Sequence, residues 1–140
     1  MRAYTPWVPK AAGALADLSA DGDHLRVVLH RVIADVAEAE KLQADVVARA
    51  SAAGVKKVLF DYRKVDAHSE AVRTCMWDWA GQVAFVAMAL IVGNDLTRVR
   101  MNMTAVAQRV RMRAFLHDED AQGWLEGAER RRPTTEITKI

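Results

Sequence analysis

The chain reads as an α/β domain: an opening β-hairpin, then alternating βα units forming a mostly parallel sheet with helices mainly on one face. Three observations predict it. Of 140 residues, 51% are hydrophobic and 27% charged, a globular balance long enough for one core. The apolar share leans on 25 alanines and 17 valines, small residues that let helices pack closely on a sheet. Beyond residue 35, helical periodicity and short β-rich runs alternate, the signature of repeated βα units.

Residues 1–11 hold Pro6 and Pro9 around Trp7 and read as an N-terminal arm, because proline forbids regular pairing there. The domain is expected over 12–128. Residues 12–19 are a weak strand and His24 to Val32 a strong one, joined by the turn Asp21-Gly22-Asp23, so 12–32 reads as a hairpin. Asp35 is an N-cap candidate. Val36, Ala39, Leu42, Val46, Ala50 and Ala53 then recur at helical spacing up to Gly54, which sits where a terminating glycine belongs. Lys57 to Tyr62 is a buried strand. Ser69 caps a helix with Val72, Met76, Trp79 and Val83 inside. Residues 81–92 suit either a helix end or a strand, and we place a strand at Ala87 to Val92. Asn94 or Asp95 caps a helix with Leu96, Val99, Met103 and Val106 on its covered face. Val110 to Leu116 alternates as a strand with one covered face. Asp118 caps a final helix with Ala121, Trp124 and Leu125 inside. The polar segment 129–140, stopped at Pro133, reads as a flexible C-terminal tail.

Composition excludes several classes. A formal charge of +2 is too small an excess to call for a nucleic-acid partner. One cysteine rules out an internal disulfide and fits a reducing, cytoplasmic setting. The N-terminus has no apolar run of the signal-peptide kind. The longest uncharged stretch, Trp79 to Asn94, is sixteen residues and contains Gly81 and Gln82, short of a transmembrane segment. Four histidines show no metal-ligand spacing, and no cofactor motif is present, so neither a metal nor a cofactor is expected.

Two stretches carry a resemblance. Val110-Arg111-Met112-Arg113-Ala114-Phe115, then Asp118-Glu119-Asp120-Ala121 and Trp124-Leu125, resembles the ending of STAS-like bacterial domains related to SpoIIAA, including small stand-alone proteins grouped with CRAL-TRIO-like folds. Lys57-Val58-Leu59-Phe60-Asp61-Tyr62-Arg63 resembles their central strand, with the aspartate at its end. The resemblance spans roughly residues 12 to 127. It implies a regulatory or binding module, not an enzyme. In anti-sigma antagonists of this fold a serine before the second helix is phosphorylated. The matching loop here reads Asp66-Ala67-His68-Ser69-Glu70, where Ser69 is the nearest serine, without the family's glycine and with Glu70 beside it.

The residues offer four candidate sites. Asp61, Asp66, His68, Ser69 and Glu70 fall at a strand's carboxyl end and a helix start, where open α/β sheets bind ligands or partners. The plainer account has Ser69 capping a helix and Asp61 holding loop amides. A small enzyme using His68 and Ser69 is the weakest reading, because no nucleophile elbow or oxyanion loop accompanies them. Cys75 reads as a buried, inert small hydrophobe. Trp77 and Trp79, two residues apart on one helix, face nearly opposite ways. Trp79 belongs in the core. Trp77 then either anchors an interface, giving a homodimer or a protein partner, or is covered by the Trp7 arm. Arg98, Arg111 and Arg113, with Arg100, Arg109 and the tail arginines 130–132, form an anion-binding candidate set. Apart from a protein-binding module, the alternative function is a carrier of a small apolar or lipid-like ligand, held in a pocket lined by Met76, Met88, Met103 and Trp79.

Overall fold

The computed structural model describes residues 14–128. The expected arm with Trp7, the first two residues of the expected first strand and the tail lie outside the described residues.

Two-residue alternation opens the fold. β1 (Ala16–Asp21) and β2 (His24–Leu29) pair antiparallel, with Asp21 opposite His24 across the turn. Gly22 holds φ +65° in open space, so the left-handed backbone, not room for a side chain, is what calls for glycine there. Then come α1 (Val36–Ala53), β3 (Lys57–Asp61), α2 (Glu70–Gln82), β4 (Ala87–Ile91), α3 (Asp95–Gln108), β5 (Met112–Phe115) and α4 (Asp118–Glu126). The strands lie side by side in chain order, and every pair after the hairpin is parallel.

α1 is bounded as expected. The Asp35 carboxylate accepts from the Glu38 amide at 2.8 Å, and Glu38 reaches back to the Ala34 amide at 2.8 Å. At the far end Gly54 adopts φ +71°, and Val55 N–H bonds the Ala50 carbonyl at 3.0 Å, closing a Schellman turn.

β3 and β4 are buried along their whole length, and alternation sends their side chains into two cores. Val58, Phe60, Met88 and Leu90 meet Leu42, Val46 and Ala50 of α1 and Val72 and Ala80 of α2 on one face. Leu59, Ala89 and Ile91 meet Ala121 and Leu125 of α4 on the other. The small alanines of β4 are what let α4 sit close.

Four expectations are corrected by the packing. The α3 stripe Leu96, Val99, Met103 and Val106 faces outward, with Met103 67% and Val106 79% exposed. The helix instead turns Met101, Asn102 and Ala105 inward. The physical reason is the free edge of β5. Its Ala114 amide donates to Asn102 Oδ1 at 2.7 Å, and Asn102 Nδ2 donates to the Ala114 carbonyl at 3.2 Å. Among the described residues no further strand pairs with β5; these edge groups find their partner in an asparagine side chain, and that grip sets the rotation of the helix.

Asp118 does not cap α4. His117 holds the N-cap position without a side-chain bond, and Asp118 opens the helix while binding Arg26. Cys75 is half-buried rather than buried, with the Gln43 amide 3.5 Å from its sulfur. Trp77 and Trp79 are both half-buried, so the contrast of exposed and buried rings is softer than expected. Trp79 is still joined to the core, edge-on to Phe60 and to Phe85 with centroids 6.2 Å apart in each case.

Candidate functional site

The carboxyl edge of the parallel strands gathers three helix starts. The Ser69 hydroxyl accepts from the Val72 amide at 3.3 Å and opens α2. The Asn94 side chain accepts from Thr97 at 2.8 Å and opens α3. Asp118 begins α4. Each first turn carries an acid, Glu70, Asp95 or Asp118, which suits the positive ends of the helix dipoles. The loops are neighbours: a side chain placed on Gly93 would lie 3.7 Å from the Arg63 carbonyl.

The residues expected to form one site divide between the two faces. Asp61, at the end of β3, is buried with only 6% exposed and turns toward α4. It accepts from the Arg63 amide at 3.0 Å and from Arg63 Nη2 at 2.7 Å, with Arg26 Nη2 at 3.7 Å. Arg26 in turn grips Asp118 through two bonds of 3.2 and 2.7 Å, and Gln122 adds a third at 2.7 Å. Burial pushes the Asp61 carboxyl up, but the Arg63 hydrogen bonds and the charges of Arg63 and Arg26 outweigh it and leave it below the ordinary range. Asp118 is held low mainly by Arg26. This network ties β2, β3 and α4 together. Arg63 was legible as a cation two residues from Asp61, but Arg26 and Asp118, separated by 92 positions, carry no local signal.

His68, by contrast, lies against the ring of Tyr62, with centroids 6.0 Å apart, on the side of α2. Tyr62 stacks on Phe60, and burial pushes its phenol up. The His68 Nε2 is buried without a hydrogen-bond partner, and burial, with the nearby Arg73 charge, lowers the affinity of the ring for a proton. Arg73 donates to the His68 carbonyl at 2.6 Å. Ser69 and Asp66 are exposed on the same loop. The Ser69 hydroxyl is occupied with the helix amide, and His68 Nε2 bonds to nothing, so the hydroxyl-to-imidazole bond of an activated nucleophile is not made.

The arginine set does not converge. Arg98 is paired with Asp95 at 2.7 Å, Arg113 stands over the Phe115 ring at 5.7 Å on β5, and Arg111 is exposed just before that strand. The methionine pocket is also not formed as expected. Met88 is 2% exposed in the core, whereas Met103 points outward on α3. Among the described residues no group of metal-binding side chains is assembled, and no helix is long and apolar enough to cross a membrane.

The charge arrangement predicts acid sensitivity. Asp23, Asp61 and Asp118 are held below their ordinary values, and Glu38, bonded to Arg31 and the Ala34 amide, lies at about 2. Carboxyls depressed by folding contribute stability that is present above the unfolded range and lost as pH falls through their folded values. The lowered His68 acts in the same direction at a higher pH, since its neutral form is the one the fold prefers. Denaturant midpoints should therefore hold from about pH 8 to about pH 6.5, decline slightly below that, and fall steeply from about pH 4 toward pH 2. A midpoint unchanged between pH 7 and pH 3 would contradict the network as described.

Comparison with solved structures matches this architecture. An uncharacterised protein of the DUF3478 family from Shewanella loihica PV-4, described as having a SpoIIAA-like fold, superposes with a TM-score of 0.57 at 16% identity, over 79% of this chain and 91% of that one. The anti-sigma factor antagonist SpoIIAA in its unphosphorylated form superposes with a TM-score of 0.52 at 13% identity, over 80% of this chain and 98% of that one. The chain has a SpoIIAA-like fold. The resemblance in the 57–63 and 110–125 segments is thus matched by the architecture, while identities this low speak for the fold alone. No family model and no curated protein sequence matches the chain. The loop 62–69 bridges β3 and α2 and ends at Ser69.

Proposed function

We propose that the chain is a non-catalytic regulatory module of the cytoplasm that binds a protein partner at the carboxyl edge of its sheet, with Ser69 as its switch. The observation that carries this reading is the position of Ser69: an exposed hydroxyl at the N-cap of α2, following the central parallel strand of a SpoIIAA-like sheet. A phosphate there would meet the free amides of the first helical turn, the positive end of the helix dipole and Arg73 one turn on, and would oppose Glu70. Adding about two negative charges would change the surface a partner meets without disturbing either core. The SpoIIAA structure with the same fold is that of an anti-sigma factor antagonist, which is regulation by protein binding. The idle geometry of His68 and Ser69 favours this over catalysis, and the outward Met103 leaves the methionine-lined pocket that would have favoured a carrier without one of its four residues.

The test is mass spectrometry of the full chain isolated from the cells that make it. A phosphate mapped to Ser69, absent from a Ser69→Ala variant that still folds, is the expected result. Loss of the cap alone should cost that variant only about 1 kcal/mol. An unmodified Ser69 under every growth condition, or a phosphate at another residue, would overturn the switch.

A further inference from the structure

α3 leaves its larger apolar residues in water. Leu96, Val99, Met103 and Val106 are 59%, 38%, 67% and 79% exposed, at spacings of three and four that place them on one stripe. Large side chains concentrated on the outer face of a helix, while its inner face is made of Met101, Asn102 and Ala105, reverse the usual arrangement. Such a contiguous apolar stripe marks an interaction surface.

The charge around it selects the occupant. From Leu96 to His117 the chain has five arginines and no acid. Arg98 is taken by Asp95. Arg100, exposed, stands one turn from both Leu96 and Met103, bordering the stripe, and the exposed Arg109 and Arg111 follow at its carboxyl end. A second copy of the chain would bring this acid-free segment against itself and place arginines beside arginines. An apolar ridge with a basic border is complementary to an amphipathic helix with an acidic border.

We propose that the outward face of α3 is a docking surface for an acidic amphipathic helix of a protein partner. It takes from the reading above only that a protein partner exists, and it does not depend on Ser69. Leu96, Val99, Met103 and Val106 would fill the apolar seam, and Arg100 and Arg109 would pair with carboxylates along its rim.

The test titrates the isotopically labelled full chain with a synthetic peptide of about 18 residues, leucine at helical spacing and glutamate elsewhere, followed by amide NMR shifts. Shifts confined to residues 95–109 are expected. Affinity should fall roughly tenfold with Met103→Glu and again when salt is raised from about 50 to about 300 mM. Met103 is exposed, so the variant should melt like the wild type. Arg100→Glu should weaken the glutamate peptide and admit its lysine counterpart. Three results would overturn the proposal: equal binding of a leucine/lysine peptide, binding to phosphatidylserine vesicles in place of the peptide, or a dimer of the free chain that Met103→Glu dissolves. Peptide binding that persists in Ser69→Ala, in a chain never phosphorylated, would remove the switch and keep the docking face. A phosphorylated Ser69 with no peptide response would do the reverse.

Discussion

Replacing Trp79 with alanine should cost about 3–5 kcal/mol, a large share of the stability of a domain this size. The ring is half-buried, yet it belongs to an aromatic group: Phe60, 2% exposed in the first core, and Phe85 each meet it edge-on. Its loss would open a cavity between α2 and β3 that neither neighbour can fill without leaving its own contacts. Trp77, two residues away on the opposite side of α2, takes no part in that group. Trp77→Ala should change stability by less than about 1 kcal/mol. Urea midpoints of the two variants, compared at equal slopes, measure the difference directly. Equal losses would contradict the assignment of the two rings to a core face and an outer face.

The second large effect concerns a charge inside the sheet. Lys57 begins β3 and is 4% exposed, with its ammonium 2.9 Å from the Asp23 carboxylate of the hairpin turn. Asp23→Asn would leave that ammonium buried beside a neutral amide. Breaking a fully buried pair costs about 3–5 kcal/mol, and since Asp23 itself is half exposed the expected loss is nearer 2 kcal/mol. Lys57→Met should be neutral or slightly stabilising, because it removes the buried charge along with the need for a partner. The opposite ordering, with Lys57→Met the more damaging, would mean that the bridge drives folding of the hairpin rather than relieving a buried cation.

These cases show where the fold was legible and where it was not. Local chemistry signalled most of the elements: Gly22 and Gly54 mark the turns that need positive φ, and Asp35, Ser69 and Asn94 cap three of the four described helices, while the first strand, expected at 12–19, lies at Ala16–Asp21. Such signals act over three or four residues and can be read directly. The strand at Ala87–Ile91 emerged from an ambiguous apolar stretch because it is short and bounded. What could not be read was the rotation of α3. Its strongest periodic stripe is the outward one, and the face that packs was chosen by Asn102 and the edge of β5. Periodicity identifies an apolar stripe but not what will cover it. The candidate site divided for a related reason. Asp61 and His68 share a loop in sequence, but strand alternation turns Asp61 to the α4 face, where Arg26 arrives from β2, and leaves His68 against Tyr62 on the other. The homodimer was expected through an outward-pointing Trp77, and that ring is half-buried in the single chain.

Native mass spectrometry of the full chain, isolated from the cells that make it, tests the central claim most directly. A regulatory module of this kind should appear as a complex of one chain with a second, different polypeptide, and Ser69→Glu should return it to the mass of the free chain. A chain carrying a small apolar molecule and no polypeptide would contradict the account, as would a bare chain or homodimer unaffected by the substitution.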